Sequence, residues 1–188
     1  MLRSRMAAMA AAARSVLMAS AQTDVSKLSG ALAARLRASG SASVKAMGPK
    51  AVQSATRALL RCRYWLQQER ADHETWLLVD RIHTGNEKDA LGELLIEARW
   101  APTSEMREEE EVLVSQKSNI GQVASFVANR LAEEPRVAPA LKSVGPQAAS
   151  QALRALAIAR KYVAKAHPGE ELFLLPREEK KSQEGGQG

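Results

Sequence analysis

A stretch of the chain is written twice. VKAMGPKAVQSATRALLRCRYWL begins at Val44, and LKSVGPQAASQALRALAIARKYV begins at Leu141. At an offset of 97, Lys45 meets Lys142, Gly48-Pro49 meets Gly145-Pro146, Arg57 meets Arg154 and Arg63 meets Arg160. Upstream, at an offset of 95, VSKLSGALAARL (25–36) meets IGQVASFVANRL (120–131). The two-residue change of offset falls around Glu134-Pro135-Arg136, where a turn is expected and insertions are tolerated. A chain built this way folds as two copies of one unit, so 188 residues divide into two small domains.

The unit can be drawn from its patterning. In copy two, VLVS (112–115) reads as a short strand, and Ser118 or Asn119 can cap the helix that follows. Ile120, Val123, Val127 and Leu131 recur at helical spacing. A second strand is expected near 140–143, and Pro146 then suits the first turn of a second helix, where its missing amide hydrogen is not needed. ELFLLP (171–176) reads as a third strand. Copy one repeats the order: SVLMAS (15–20), a helix, a strand at 43–46, a helix from Pro49 to about Gln68, and TWLLVDRI (75–82). A turn at Thr84-Gly85-Asn86 then leads to ELLIEARW (93–100), a fourth strand. Strand, helix, strand, helix, strand, strand in so few residues defines a two-layer α/β sandwich. After Pro176 no apolar run offers copy two a fourth strand. The expected domains are 15–101 and 111–177, joined by an acidic solvated linker at 102–110 and followed by a flexible polar tail at 178–188.

Residues 1–14 contain Arg3, Arg5 and Arg14 and no acid, the composition of an organellar targeting segment. They suggest a mitochondrion, with plastid or cytoplasm as alternatives. No stretch reaches the roughly 18 apolar residues of a membrane span, so no membrane insertion is expected. The net charge of +6 favours an anionic partner. One cysteine, Cys62, excludes an intrachain disulfide, and His73, His83 and His167 show no metal-ligand spacing. MGPK lacks the Gly-Lys-Ser/Thr of a phosphate-binding loop. Cys62 sits in a helical pattern with no neighbouring histidine, and the core is its expected place. Trp65, Trp76 and Trp100 lie on predicted elements and read as packing residues. Neither an enzyme, nor a cofactor, nor a metal is expected.

LKSVGPQAASQALRALAIARKYVA, with VLVSQKSNIGQVASFVANRL before it, resembles the stage V sporulation protein S family. With its repeat the resemblance covers about residues 16–177. It implies tandem Alba-like sandwiches, each β-α-β-α-β-β, with pairing of units and nucleic-acid binding. Internal pairing of the two copies would then replace a homodimer. The resemblance places basic residues after the first strand, where copy two has Lys117 and copy one Gln22. It also places them around the Gly-Pro turn, at Lys45 and Lys50 in copy one and Lys142 in copy two, where Gln147 stands for the second lysine.

The expected nucleic-acid-binding set is therefore Lys45, Lys50, Arg57, Arg61, Lys117, Lys142 and Arg154. Gly48-Pro49 and Gly145-Pro146 shape the turns that aim it. Lys and Arg contact phosphates without reading bases. Internal salt bridges are the alternative for Arg57 and Arg154. The expected function is an organellar RNA-binding structural protein within a large ribonucleoprotein such as the mitochondrial ribosome, among other proteins. The alternatives are a DNA-binding nucleoid protein and a protein assembly module.

Overall fold

The computed structural model describes residues 16–82, 93–103, 107–134 and 137–178. The expected targeting segment 1–14, the expected turn at 84–86, residues 104–106 of the expected linker, Pro135-Arg136 and residues 179–188 of the expected tail lie outside them. Copy one comprises β1 (Leu17–Ala19), α1 (Val25–Ser39), β2 (Ser41–Met47), α2 (Pro49–Glu69), β3 (His73–Ile82) and β4 (Glu93–Pro102). Copy two comprises β5 (Arg107–Val114), α3 (Ile120–Glu133), β6 (Val137–Ser143) and α4 (Pro146–Ala166).

The helix starts follow from local chemistry. Asp24 accepts from the amides of Ser26 and Lys27 at 2.9 and 3.1 Å and so caps α1. Asn119 does the same for α3 through the amide of Gln122 at 3.1 Å. The two longest helices have no side-chain cap. They start from Gly48 (φ 81°, ψ 161°) and Gly145 (φ 88°, ψ 168°), each followed by proline. That backbone region is essentially glycine-only, and holding a Cβ there costs about 1–3 kcal/mol. The Gly-Pro pair therefore turns the chain sharply from strand into helix, and the proline fills a position whose amide would be unused.

In copy one the sheet order is β1-β2-β4-β3, with β1 and β2 parallel and the other pairs antiparallel. Ala42, Val44 and Ala46 on β2 alternate into the core, as do Leu94, Ile96 and Ala98 on β4. They meet Leu32 and Leu36 of α1 and Val52, Leu59 and Leu66 of α2. Ala51, Ala55 and Ala58 are all buried, and their small side chains let α2 lie close on the sheet.

Copy two departs from expectation at both ends. The acidic run Glu108–Glu111 is not a linker but part of β5, which begins at Arg107 and runs parallel to β6 with an irregularity between Glu108 and Glu111. Strand pairing needs backbone groups more than apolar side chains, and an edge strand tolerates charge. ELFLLP, expected as the third strand of copy two, instead meets the first copy. Leu174 and Leu77 of β3 exchange two backbone hydrogen bonds, each 2.8 Å, in an isolated antiparallel bridge.

Leu174 is the repeat counterpart of Leu77. A residue that pairs with its own counterpart marks a two-fold axis, the signature of a symmetric dimer interface. The repeat register survives nearby in ion pairs. Arg63 holds Glu74 at 2.7 Å, and the counterpart pair Arg160–Glu171 is at 2.8 Å. Across the seam, α4 packs on α2 and β3, and its Leu153 and Ala157 enter the core of copy one. Arg160 also binds Asp80 of β3.

Candidate nucleic-acid interface

The expected basic residues fall into three environments. Lys50, Arg57 and Arg61 are exposed on α2, and Lys117 is exposed in the loop between β5 and α3. Lys45 and Lys142 are half-exposed on β2 and β6, where they meet Glu93 at 3.4 Å and Glu111 at 3.8 Å. Arg154 is only 4% exposed. Burial, and then the neighbouring charge of Arg81, push its guanidinium pKa below the ordinary value. A side chain so enclosed offers no face to a phosphate, and Arg154 is withdrawn from the expected set. Its sequence register equals that of Arg57, but α4 turns this face toward copy one, and α2 turns its own to solvent.

The exposed residues of α2 form one line. Lys50, Ser54, Arg57, Arg61, Tyr64 and Gln68 recur at alternating spacings of four and three, which keeps them on one side of an α-helix. All are exposed except half-buried Ser54. Tyr64 keeps 62% of its surface in solvent. Glu69 is the only acid on the helix, and Arg37 of α1 engages it. Arg61 also donates to Ser26 Oγ, which sets the first turn of α1, with exposed Lys27, beside the line. Tyr64 and Lys27 were not among the expected residues. Tyr64 was readable, because it continues the spacing of Arg57 and Arg61. Lys27 was not, because its place beside α2 depends on helix packing and its counterpart in copy two is Gln122.

Each copy also repeats a smaller feature beside its Gly-Pro turn. Met18 and Met47 are exposed around Lys45, and their counterparts Leu113 and Val144 are exposed around Lys142. The line on α2 is not repeated. On α4 the matching positions are Gln147, Gln151, buried Arg154, half-buried Ile158, Lys161 and Lys165. The chain thus presents a continuous basic line on one copy.

Among the described residues no group of three or more His, Cys, Asp or Glu could hold a metal ion, and no helix is long and apolar enough to cross a membrane. Cys62 is fully enclosed, and burial pushes its thiol pKa from 9.0 up to about 12. The native state therefore keeps the proton longer than the unfolded chain does. Stability contributed by the neutral thiol is whole below pH 9 and is lost progressively between about 9 and 12. A thiol reagent at pH 8 should label Cys62 only as fast as the chain unfolds. Rapid labelling of the native protein would contradict this.

Two α/β units in tandem, joined about a two-fold axis and carrying their Gly-Pro turns in register, define a fused pair of Alba-like domains. The family comparison agrees. The model for stage V sporulation protein S (SpoVS) matches residues 15–98 and again 110–187, and the chain belongs to that family. A comparison with curated proteins finds no match.

Proposed function

We propose that the protein binds RNA along α2 of copy one, as a structural component of a larger ribonucleoprotein. The line of Lys50, Arg57, Arg61 and Tyr64 carries this reading. A row of cations on one rigid helix suits a phosphate backbone, and its affinity comes from released counterions. An exposed aromatic in the same row suits an unpaired base, which can stack on its ring. Unpaired bases belong to RNA loops and ends more than to duplex DNA, so the row favours RNA. Copy two adds Lys117 and Lys142 at the edge and otherwise supports the first copy. The role is binding rather than catalysis.

The basic, acid-free residues 1–14 support a mitochondrial setting, and the mitochondrial ribosome is the most specific assembly in keeping with it. Crosslinking in cells, followed by sequencing of the bound nucleic acid and of the crosslinked peptides, tests the whole reading. The expected result is RNA on the peptide containing Arg57 to Tyr64, with the protein released from large particles by RNase. Recovery of DNA, with particles that resist RNase, would replace RNA by DNA. No nucleic acid at all would sink both.

A further inference from the structure

The repeat supplies an internal control for what copy two lacks. In copy one, β4 lies between β2 and β3 and closes the core beneath α1 and α2. There Ala33, Leu36 and Leu66 are 0% exposed and Thr75 is 1% exposed. Their counterparts Ala128, Leu131, Val163 and Leu172 are all only partly buried. These four line a groove of about 740 Å³. Among the described residues β6, the counterpart of β2, pairs only with β5. By the repeat correspondence the groove marks the place of a fourth strand in copy two, with its walls drawn from α3, α4, the segment after α4 and copy one, and not from β6 itself. Its far wall is Trp76 and Pro102 of copy one, so it continues the seam between the copies. Arg177 to Gly188, which follow Pro176, include no apolar side chain that could fill it.

We propose that this groove receives an extended segment of a partner protein, which adds to β6 as an antiparallel strand. Addition of a strand to an open sheet edge draws affinity from backbone hydrogen bonds and specificity from alternate side chains. β4 shows which side chains those are. Leu94, Ile96 and Ala98 enter the core, and Glu93, at the start of the strand, pairs with Lys45. Lys142 is the counterpart of Lys45. The partner segment therefore carries branched or small apolar residues at every second position and an acidic residue at its beginning, opposite Val144 and diagonal to Lys142, as Glu93 is to Lys45. Of the residues assigned to RNA this surface shares only Lys142, at its rim, and it involves none of the α2 line that carries that reading, so the two proposals stand or fall separately.

The test adds a labelled peptide with the sequence of Glu93–Pro102 to the full chain and follows fluorescence anisotropy and amide hydrogen exchange. Saturable binding is expected, with new protection at Val137–Ser143. The same peptide carrying Leu94→Lys and Ile96→Lys should bind at least tenfold more weakly. In the full chain, Ala128→Trp fills the groove from α3 and should weaken binding by a similar factor. Asn129→Trp, at a more exposed position of the same wall, should do so without touching the core. Circular dichroism confirms that each variant is folded. No binding at millimolar peptide would overturn the proposal. So would protection confined to copy one, which means exchange with its own β4, or indifference to both tryptophan variants. Slow exchange of the β6 amides in the free monomer would mean that the chain's own termini cover the groove. A dimer dissociated by Ala128→Trp would mean that a second copy does. Either result would replace the partner named here.

Discussion

Reversal of the α2 line, by Lys50→Glu, Arg57→Glu and Arg61→Glu together, is expected to lower RNA affinity by at least about 100-fold at moderate salt and to flatten its salt dependence. For single-stranded RNA the slope of log K against log salt falls by about 0.7 for each phosphate no longer neutralised, so removing three cations reduces it by about 2. Anisotropy titrations at several salt concentrations measure both quantities. All three side chains are exposed, so the melting temperature should stay within a few degrees. The matched control is Lys161→Glu with Lys165→Glu on α4, which changes the charge of copy two's helix and should leave the slope nearly intact. Tyr64→Ala separates the two parts of the reading. Loss of a stacked base costs about 1–3 kcal/mol without altering the slope. Equal losses from the α2 and α4 variants would show that net charge binds RNA and that the line has no special role.

A second pair of substitutions compares one repeat position in two surroundings. Leu36→Ala is expected to cost about 2–5 kcal/mol, the range for a leucine removed from a closed core. Leu131→Ala should cost less than about 2 kcal/mol, because that side chain is only partly buried at the margin of the copy-two core and borders the open groove, so its removal leaves no enclosed cavity. Urea unfolding gives the comparison as a shift of midpoint at constant slope. Costs of equal size would mean that the core of copy two is closed in solution and that the groove between α3 and α4 is filled.

The repeat made the fold class readable, because each copy confirmed the other's patterning. Gly48-Pro49 and Gly145-Pro146 were legible for a local reason: a glycine-only backbone region and a proline in the first helical turn leave direct marks in the sequence. Alternation along β2 and β4 was legible for the same reason. What escaped was non-local. Glu108 to Glu111 look like linker until β6 is seen to offer them a register. ELFLLP has the sequence of a third strand, yet its partner is β3 of the other copy. Arg57 and Arg154 share a register, and only the packing of α4 on copy one decides that the second is buried. Patterning tells which residues lie on one face. It does not tell what that face meets.

The bridge between Leu77 and Leu174 also bears on how the protein responds to dilution. Two separate chains meeting about such an axis would part as their concentration fell, and their melting temperature would fall with it. Here the partner is tethered, and its effective concentration is fixed by the connecting chain. The pair holds together at nanomolar levels as well as at micromolar ones. The tether also frees the two halves from identity. A substitution in a homodimer appears on both sides of the axis, whereas in this chain it alters one side alone. One half can therefore keep an exposed cationic line on its helix while the other buries Arg154 at the matching position and, among the described residues, leaves a strand position open.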